Sequence, residues 1–206
     1  MKKTFLTAVF ASVMPLLLCA AETIQLPPAA LKNDVSLKEA LTLRRTDRVF
    51  SEKPICDQLL SNILWAANGI NRPEKGKRTI PAARGIYAIT LYVLKADGIY
   101  RHELKNNTLV KISSEDARSY SDGRKMGAKA PAVIVLVADR KAFAGNADAY
   151  IGVEAGAIVQ NIHLYCAGAK LNTVVCGSFN RKALPSALKL ADDKYVFLTQ
   201  VIGSRP

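Results

Sequence analysis

Residues 147–169 read ADAYIGVEAGAIVQNIHLYCAGA and are apolar nearly all the way round a helix. A surface helix keeps one polar face, so a helix that is apolar all round must be central to its fold. Gly152 and Gly156, beside Ala155 and Ala157, would let another backbone approach closely, because they carry little or no side chain. This segment therefore predicts a fold built around one long, well-covered helix.

The rest of the chain supplies apolar runs of strand length. Residues 130–139, APAVIVLVAD, form a continuous valine-rich run that is typical of a strand covered on both faces. Two strands around an Asp97–Gly98 turn are predicted within 86–104, and further strands at 106–112, 171–179 and 194–203. Because strands and helices alternate without a regular βαβ repeat, we predict a single α+β domain.

Two helices are predicted ahead of these strands. SLKEALTLRR begins with Ser36 and Glu39 at the spacing of a capping box. PICDQLLSNILWAANG has Pro54 in its first turn and ends at Asn68–Gly69. Its apolar residues fall on one helical face, which predicts that this face is buried.

The remaining segments are predicted to be loops and short helices. Residues 71–85 contain two prolines, two glycines and five basic residues, without an apolar period, and loops of this length are usually functional or mobile. A weak helix is predicted at 114–127, and a short one is predicted to begin at Asn180. We expect the segment 113–130 to shape a substrate pocket.

The first 21 residues have the pattern of a secretory signal peptide. MKK is a basic start, TFLTAVFASVMPLLL is an apolar core, and CAAE offers small residues for cleavage after Ala21. We therefore expect an exported, periplasmic or otherwise extracytoplasmic protein, with an extended arm at 22–35 and one domain at 36–206. Lipidation at Cys19 is the alternative, and a membrane contact is expected only in that case.

The net charge favours an anionic partner. Lys and Arg number 29 against 17 Asp and Glu, which gives +12, or +10 once Lys2 and Lys3 leave with the signal peptide. Nucleic acid, a membrane surface and a phosphate-bearing small molecule all suit such a charge. An exported protein rarely meets nucleic acid, and the sequence has no aromatic-basic binding motif, so no nucleic-acid partner is expected.

Motifs for other chemistries are missing from the sequence. It contains no GxSxG, HExxH, GxGxxG or GxxxxGK[ST] pattern, so neither a common nucleophile nor a metal site is predicted. His102 falls on a predicted strand and His163 in the central helix, where structural roles are expected. Cys56, Cys166 and Cys176 lack metal-ligand spacing, and free buried thiols or one disulfide with a spare thiol are both compatible with them.

Arginine remains as a means of holding phosphate. Arg44 and Arg45 end a capped helix, Arg78 lies in the basic loop, and Arg205 is the penultimate residue. A guanidinium group matches phosphate oxygens in a way that lysine does not. Arginines at a helix end also favour the helix dipole and are commonly solvated, so these residues alone leave both interpretations open.

The order of the segments resembles the nitroreductase superfamily of flavin enzymes. LKEALTLRRTDRVF is similar to its entry motif, an Arg-Arg-Ser/Thr-x-Arg-x-Phe run after the first helix. LLSNILWAANGINRPEKGKRTIPAARGIYAITLYVL resembles its second helix, flavin loop and first long strand. GIYRHELKNNTLVKI is similar to a hairpin of the branch that includes peptide thiazoline/oxazoline dehydrogenases, and the central strand, dimer helix and final strand follow in order.

This resemblance implies a mixed, mainly antiparallel sheet flanked by helices, an obligate homodimer, and one FMN per site at the subunit boundary. It also implies which residues hold the cofactor. They are Arg44, Arg45, Thr46 and Arg205 near the phosphate and ribityl chain, Asn71, Pro81, Ala82 and Ala83 against the flavin, Gln160 and Asn161 on the dimer helix, and Val175, Cys176 and Gly177 beside the ring, with Arg78 of the basic loop added to them.

The function implied is an exported FMN-dependent oxidoreductase in which flavin is reduced and reoxidised in turn. Its small-molecule substrate and its electron donor or acceptor are unidentified, and NAD(P)H is scarce outside the cytoplasm. A catalytically silent protein that binds flavin or another anion on the same fold is the alternative. A basic protein that binds the cell envelope or a polyanion is a third interpretation, favoured only if flavin is absent.

Overall fold

The computed structural model describes residues 22–31, 35–145 and 147–206. The predicted signal peptide, including Cys19, lies outside the described residues. The helices are α1 (Leu37–Leu43), α2 (Asp57–Asn68), α3 (Ala147–Gly168) and α4 (Ala183–Ala187). The strands are β1 (Thr23–Gln25), β2 (Ile70–Arg72), β3 (Lys77–Arg78), β4 (Ile89–Lys95), β5 (Gly98–Glu103), β6 (Thr108–Ser113), β7 (Ala132–Asp139), β8 (Leu171–Cys176) and β9 (Lys194–Ser204).

Seven of these strands form one sheet, in the order β1-β6-β5-β4-β7-β9-β8. Each neighbouring pair in this order is antiparallel. Strand β7 lies inside the sheet, between β4 and β9, and all but its last residue are buried, as its continuous apolar run predicts. The predicted α+β class, with a mainly antiparallel sheet flanked by helices, is confirmed.

The two faces of the sheet carry separate hydrophobic clusters. Because side chains alternate along a strand, Leu91 and Ile134 point to a cluster that includes residues of α2 and α3. Leu94 and Val135 point to the opposite cluster, which includes α4 residue Leu184. The sheet is therefore a middle layer with covering elements on both sides.

Several local predictions need correction. Helix α2 begins at Asp57 with Cys56 as its N-cap, so Pro54 lies ahead of the helix rather than in its first turn. The segment 71–85 contains most of the β2–β3 hairpin, with a left-handed Gly76 at its tip. The segment 114–127 has single 3₁₀ turns instead of a helix, and three residues of the predicted arm join the sheet as β1.

Other predicted features are found as expected. The Ser36 hydroxyl accepts a hydrogen bond from the Glu39 backbone N–H at 3.1 Å and so caps α1. Helix α2 ends at Asn68, with Gly69 as its C-cap. The Asn180 side chain accepts from the backbone N–H of Ala183 at the start of α4.

Helix α3 is buried on one face only. Ile151, Ala155, Ile158 and Ile162 are fully buried. Val153 is 64% exposed, and Ala149, Gly156 and Gln160 extend the same exposed stripe at helical spacing. A Cβ atom added at Gly152 or Gly156 would meet nothing within 4 Å. The second cover that the sequence predicts for this helix is thus not supplied by the described part of the chain.

Candidate functional site

The segment after α1 is held along the edge strand β8. The Asp47 backbone N–H donates to the Thr173 carbonyl at 3.1 Å, and Asn172 Nδ2 donates to the Val49 carbonyl at 2.7 Å. The Ser51 N–H donates to the Ser204 carbonyl at 3.0 Å. These bonds bring the predicted arginine segment and the chain end that carries Arg205 to the same β8–β9 edge.

The predicted phosphate-binding side chains at this edge differ in burial and in ion pairing. Arg44 is half-buried at the C-terminus of α1 and lies near His163 of α3, whose pKa is lowered by burial and then by the Arg44 charge. Arg45 Nε donates to Asp47 Oδ2 at 2.7 Å, so its charge is already paired. Thr46 and Arg205 are exposed. Arg44 and Arg205 are therefore better placed than Arg45 to bind an added anion.

A cavity of about 370 Å³ lies at the end of β8. Arg48, Val175, Cys176 and Gly177 line it together with residues of the loop 122–126. Burial raises the pKa of the Cys176 thiol, so the group is neutral at pH 7. The three residues that were predicted to lie beside the flavin ring, Val175, Cys176 and Gly177, therefore line a cavity.

Asp122 fixes the loop that faces β8. Its carboxylate is 5% exposed and accepts the backbone N–H groups of Arg124, Met126 and Gly127 at 2.8, 3.0 and 2.8 Å. A buried carboxylate with three such donors is well compensated. The sequence alone does not reveal Asp122 as a loop anchor, because an Asp-Gly pair inside a predicted weak helix gives no sign of that role.

A second group of predicted residues lies on the α2–α3 side of the sheet. Asn71 and Asn161 line one cavity of about 360 Å³ with Trp65, Thr79 and Tyr165. Asn161 Nδ2 donates to the carbonyl of Ala66 at 3.0 Å, which ties α3 to α2. Gln160 is exposed beside it.

The basic hairpin and the turn after it form the rest of this side. The Arg78 guanidinium stacks on the Tyr87 ring at 4.1 Å, and the pKa of Arg78 is lowered by burial although Glu154 opposes the shift. Pro81 is exposed, and Ala82 and Ala83 are half-buried where the chain enters a 3₁₀ turn.

Glu154 connects this region to the sheet. The side chain is 3% exposed and accepts the N–H groups of Ala88 at 2.8 Å and Ile89 at 3.1 Å. Burial raises the pKa of its carboxyl, whereas the two N–H donors and Arg78 act in the opposite direction. Glu154 was not among the predicted residues, although a lone acid in the middle of an apolar helix is a sign of a buried polar contact.

The single chain therefore brings the predicted residues together in two places. The first set surrounds the β8–β9 edge and contains Arg44, Arg45, Thr46, Val175, Cys176, Gly177 and Arg205. The second set belongs to the α2–α3 side and contains Asn71, Arg78, Pro81, Ala82, Ala83, Gln160 and Asn161. The β8 cavity is lined by members of the first set, and the cavity beside α3 by members of the second.

Metal centres, thiols and membrane-spanning helices are considered for residues 22–31, 35–145 and 147–206. In these ranges no cluster of three or more His, Cys, Asp or Glu side chains could hold a metal ion. Cys56 is exposed, Cys166 buried and Cys176 half-buried, and all three are free thiols. The predicted burial thus holds for Cys166 but not for Cys56. No helix among the described residues is both long and apolar enough to span a membrane.

Comparisons with known proteins agree on one family. A profile of the Nitroreductase family matches residues 41–204. A protein of Methanocaldococcus jannaschii that is named as a nitroreductase is 26% identical in an alignment that covers 88% of this chain and 96% of that protein. The crystal structure of a Ralstonia eutropha protein described as a nitroreductase superposes with a TM-score of 0.84 at 32% identity, covering 89% of this chain and 90% of that one.

A further solved structure with the same fold is a complex with FMN. It is a Desulfovibrio desulfuricans nitroreductase in complex with FMN, with a TM-score of 0.61 and 20% identity over 82% of this chain and 86% of that one. At this identity the likeness shows a shared fold. The predicted fold family is confirmed.

Proposed function

Because the chain belongs to the nitroreductase family, a family of oxidoreductases, we propose that it is an FMN-dependent oxidoreductase that acts as a homodimer. The observation that carries the proposal is the division of the predicted FMN residues between the β8–β9 edge and the α2–α3 side. Two copies that cover each other's exposed α3 stripe would place the first set of one copy opposite the second set of the other. The FMN complex of the Desulfovibrio relative supports this choice of ligand.

The exposed apolar surface supports the homodimer. Val153 on α3 is 64% exposed, and α1, which packs against α3, exposes Leu37 to 68% and Leu41 to 51%. Large apolar side chains that are grouped in this way favour an interface over a solvated surface. The small residues of the α3 stripe allow a partner's backbone to approach closely.

The donor set at the β8–β9 edge fits the FMN phosphate. Arg44 and Arg205 offer guanidinium groups, and Thr46 offers a hydroxyl. A phosphate monoester is close to a dianion at neutral pH and gains strong charge-assisted hydrogen bonds from such donors. Arg45, held by Asp47, makes the smaller contribution.

The end of β8 fits a flat ring. Gly177 leaves space, because a Cβ atom added there would meet only Leu198 Cδ2, at 3.8 Å. Val175, Cys176 and Gly177 border the cavity, while Asn71 and Asn161 would approach the ring from the partner copy. When bound, the flavin supplies hydride or electron transfer; these residues hold its orientation and exclude water.

The proposed reaction lets an electron donor and a small-molecule acceptor use the same site in turn. Export would place that site away from the cytoplasmic NAD(P)H pool, so another donor or an oxidase reaction is expected. Residues 122–126, anchored by Asp122, face the β8 end and are the candidates for shaping the substrate pocket.

Absorbance of the purified mature protein tests the proposal. We expect flavin bands that bleach with a reductant and return when an oxidant is added. Flavin that binds but does not cycle would favour the catalytically silent alternative. Protein that is colourless and takes up no added FMN would contradict both.

Arg44→Ala tests the assignment of the phosphate site. We expect FMN affinity to fall by roughly 10-fold to 100-fold, because one charge-assisted hydrogen bond to the phosphate is lost. Arg45→Ala is the matched comparison, and its effect should be smaller since Arg45 is paired with Asp47 at 2.7 Å. Unchanged affinity in Arg44→Ala, measured by fluorescence titration, would remove Arg44 from the site.

We also propose that the protein is exported and begins at Glu22 after cleavage. Glu22 is tied to β6, since its carbonyl accepts from the Lys111 N–H at 2.8 Å and its carboxylate pairs with Lys111 Nζ at 3.0 Å. FMN would then be acquired after translocation of the unfolded chain. The mass of the protein from the cell envelope should match residues 22–206; a lipid adduct at Cys19 would support the lipoprotein alternative instead.

A further inference from the structure

Two loops meet beside the β8 cavity. The Gly123 N–H donates to the Ser178 carbonyl at 3.0 Å, and the Asn180 N–H donates to the Tyr120 carbonyl at 2.9 Å. These bonds join the loop 122–126 to the segment that follows β8. Residues of both segments line the cavity. Side chains on either segment are thereby held at the rim of the same cavity.

Three arginines lie around the end of β8. Arg48 and Arg124 line the cavity. Burial is the largest cause that raises the pKa of the Cys176 thiol, and the charges of Arg48 and Arg124 oppose it. Arg181 Nη2 donates to the carbonyl of Gly177, another lining residue, at 3.5 Å. The three guanidinium groups are therefore neighbours of Cys176 and Gly177.

The positive charge at this rim is only partly balanced. Within the described ranges of the chain, Asp122 is the only carboxylate that lines the cavity, and it already accepts three backbone N–H groups. No carboxylate among the described residues forms an ion pair with Arg124 or Arg181. Arg48 lies two residues after Thr46, in the segment proposed to hold FMN, so its charge is assigned to the cofactor. Arg124 and Arg181 against Asp122 then leave an excess of about one positive charge, which matches a monoanion.

The backbone beside Arg124 is fixed in an uncommon conformation. Lys125 has a φ of 57°, in the left-handed region that residues other than glycine rarely adopt. Asp122 Oδ1 holds this turn by accepting the N–H groups of Arg124 at 2.8 Å and Met126 at 3.0 Å. Such conformations persist where surrounding contacts enforce them, and they cluster at functional sites. The turn fixes where the Arg124 side chain leaves the loop, which an arginine that only meets solvent does not require.

We propose that the substrate of the flavin site is a small organic acid whose carboxylate pairs with Arg124 and Arg181. This inference rests on the proposed function, because the rest of the substrate would lie against the flavin ring at the end of β8. A guanidinium group matches the two oxygens of a carboxylate. Both arginines are exposed, so an acid can reach them from solvent. Neither is among the residues proposed to hold FMN, and the cofactor phosphate is assigned to Arg44 and Arg205.

Benzoate and benzamide test the proposal, because they share a flat ring and differ in charge. Each is titrated into the FMN-loaded mature protein, and binding is followed by the change in flavin absorbance. We expect benzoate to bind about tenfold more tightly than benzamide, and added salt should reduce this ratio. Equal affinities, or no binding of either probe, on protein that holds FMN would overturn this inference alone. Protein that takes up no FMN would contradict the proposed function and this inference with it.

Variants locate the group that selects the charge. Arg124→Gln should weaken benzoate about fivefold to tenfold and leave the affinities for benzamide and FMN unchanged. Arg124→Lys keeps the charge without the planar fork and should recover part of the loss. Arg181→Gln should also weaken benzoate and leave benzamide unchanged. A benzoate affinity that survives in Arg124→Gln would remove Arg124 from the site.

Lys105→Gln is the matched control for the loss of one positive charge. Lys105 is exposed in the turn between β5 and β6, and β5 is four positions from β8 in the sheet. Four strand spacings amount to about 19 Å, which is beyond the reach of a screened charge. The control should bind both probes like the original protein. A loss of benzoate affinity as large as that in Arg124→Gln would mean that the overall charge, and not this rim, selects the acid.

Discussion

The two faces of α3 are similar in sequence and different in structure. Ile158 and Ile162 on one face are fully buried, whereas Val153 on the other is 64% exposed. An apolar pattern reports that a face must be covered, but it does not report which molecule covers it. One face of α3 is covered by its own chain, and we propose that the other is covered by a second copy.

The largest expected effect comes from the buried face. Ile158→Ala removes three carbons from a position with no solvent exposure and leaves a cavity, so the free energy of unfolding should fall by about 2–5 kcal/mol. Val153→Ala is the control, because a largely exposed side chain has little packing to lose. Urea denaturation of both variants at low protein concentration makes the comparison, and equal losses would mean that the two faces do not differ.

The next effect should concern association rather than folding. Val153→Arg places a charge in the proposed interface, which should raise the dimer dissociation constant by roughly tenfold to a hundredfold. The unfolding free energy of the monomer should change by less than about 0.5 kcal/mol, because the position is exposed. Sedimentation over a concentration series measures this, and an unchanged association constant would place the interface elsewhere.

The same contrast explains how far the sequence could predict the fold. Strand β7 and helix α3 are long apolar runs whose period decides their type, and both were predicted within two residues of their observed bounds. The predicted start of α2 was wrong, because Pro54 was assigned to the first turn and a proline is also common in the residues before a helix. The β2–β3 hairpin was missed because its strands have three and two residues, too few to show a period.

The candidate site was less predictable for a physical reason. The β8 residues were predicted from a resemblance over nearly the whole mature chain, and local pattern alone left Arg44 open between a phosphate ligand and a solvated helix end. Asp122 and Glu154 gain their importance from backbone N–H groups, which lie in the same loop for Asp122 and 66 residues away in sequence for Glu154 and Ala88. A linear pattern records side-chain type but not which N–H groups will converge on a carboxylate.

A smaller effect should come from the one acid on the buried face. Burial raises the pKa of Glu154 above its ordinary value of 4.5, so folding takes up a proton there. Its contribution to stability is fully present below the unfolded pKa and is lost as the pH rises through the folded pKa. The stability of the original protein relative to Glu154→Gln should therefore decrease from about pH 4.5 upward.

Denaturation of both proteins at several pH values measures that difference. Asp116 and Asp139, whose pKa values are lowered by Arg118 and Lys194, lose stability in the opposite direction as the pH falls. They are present in both proteins and cancel in the difference. A relative stability that rises with pH would mean that the N–H donors of Ala88 and Ile89 outweigh burial at Glu154.

The smallest change gives the sharpest contrast between monomer and dimer. In the single chain a methyl group at Gly156 would meet nothing within 4 Å, and alanine favours a helix over glycine by roughly 0.5–1 kcal/mol. Gly156→Ala should therefore stabilise the monomer by that amount.

If a partner backbone lies against this position, the same methyl group should weaken the dimer, so the sign of the effect should reverse with protein concentration. Thermal unfolding at low and high concentration makes the measurement. A gain at both concentrations would leave Gly156 outside the interface.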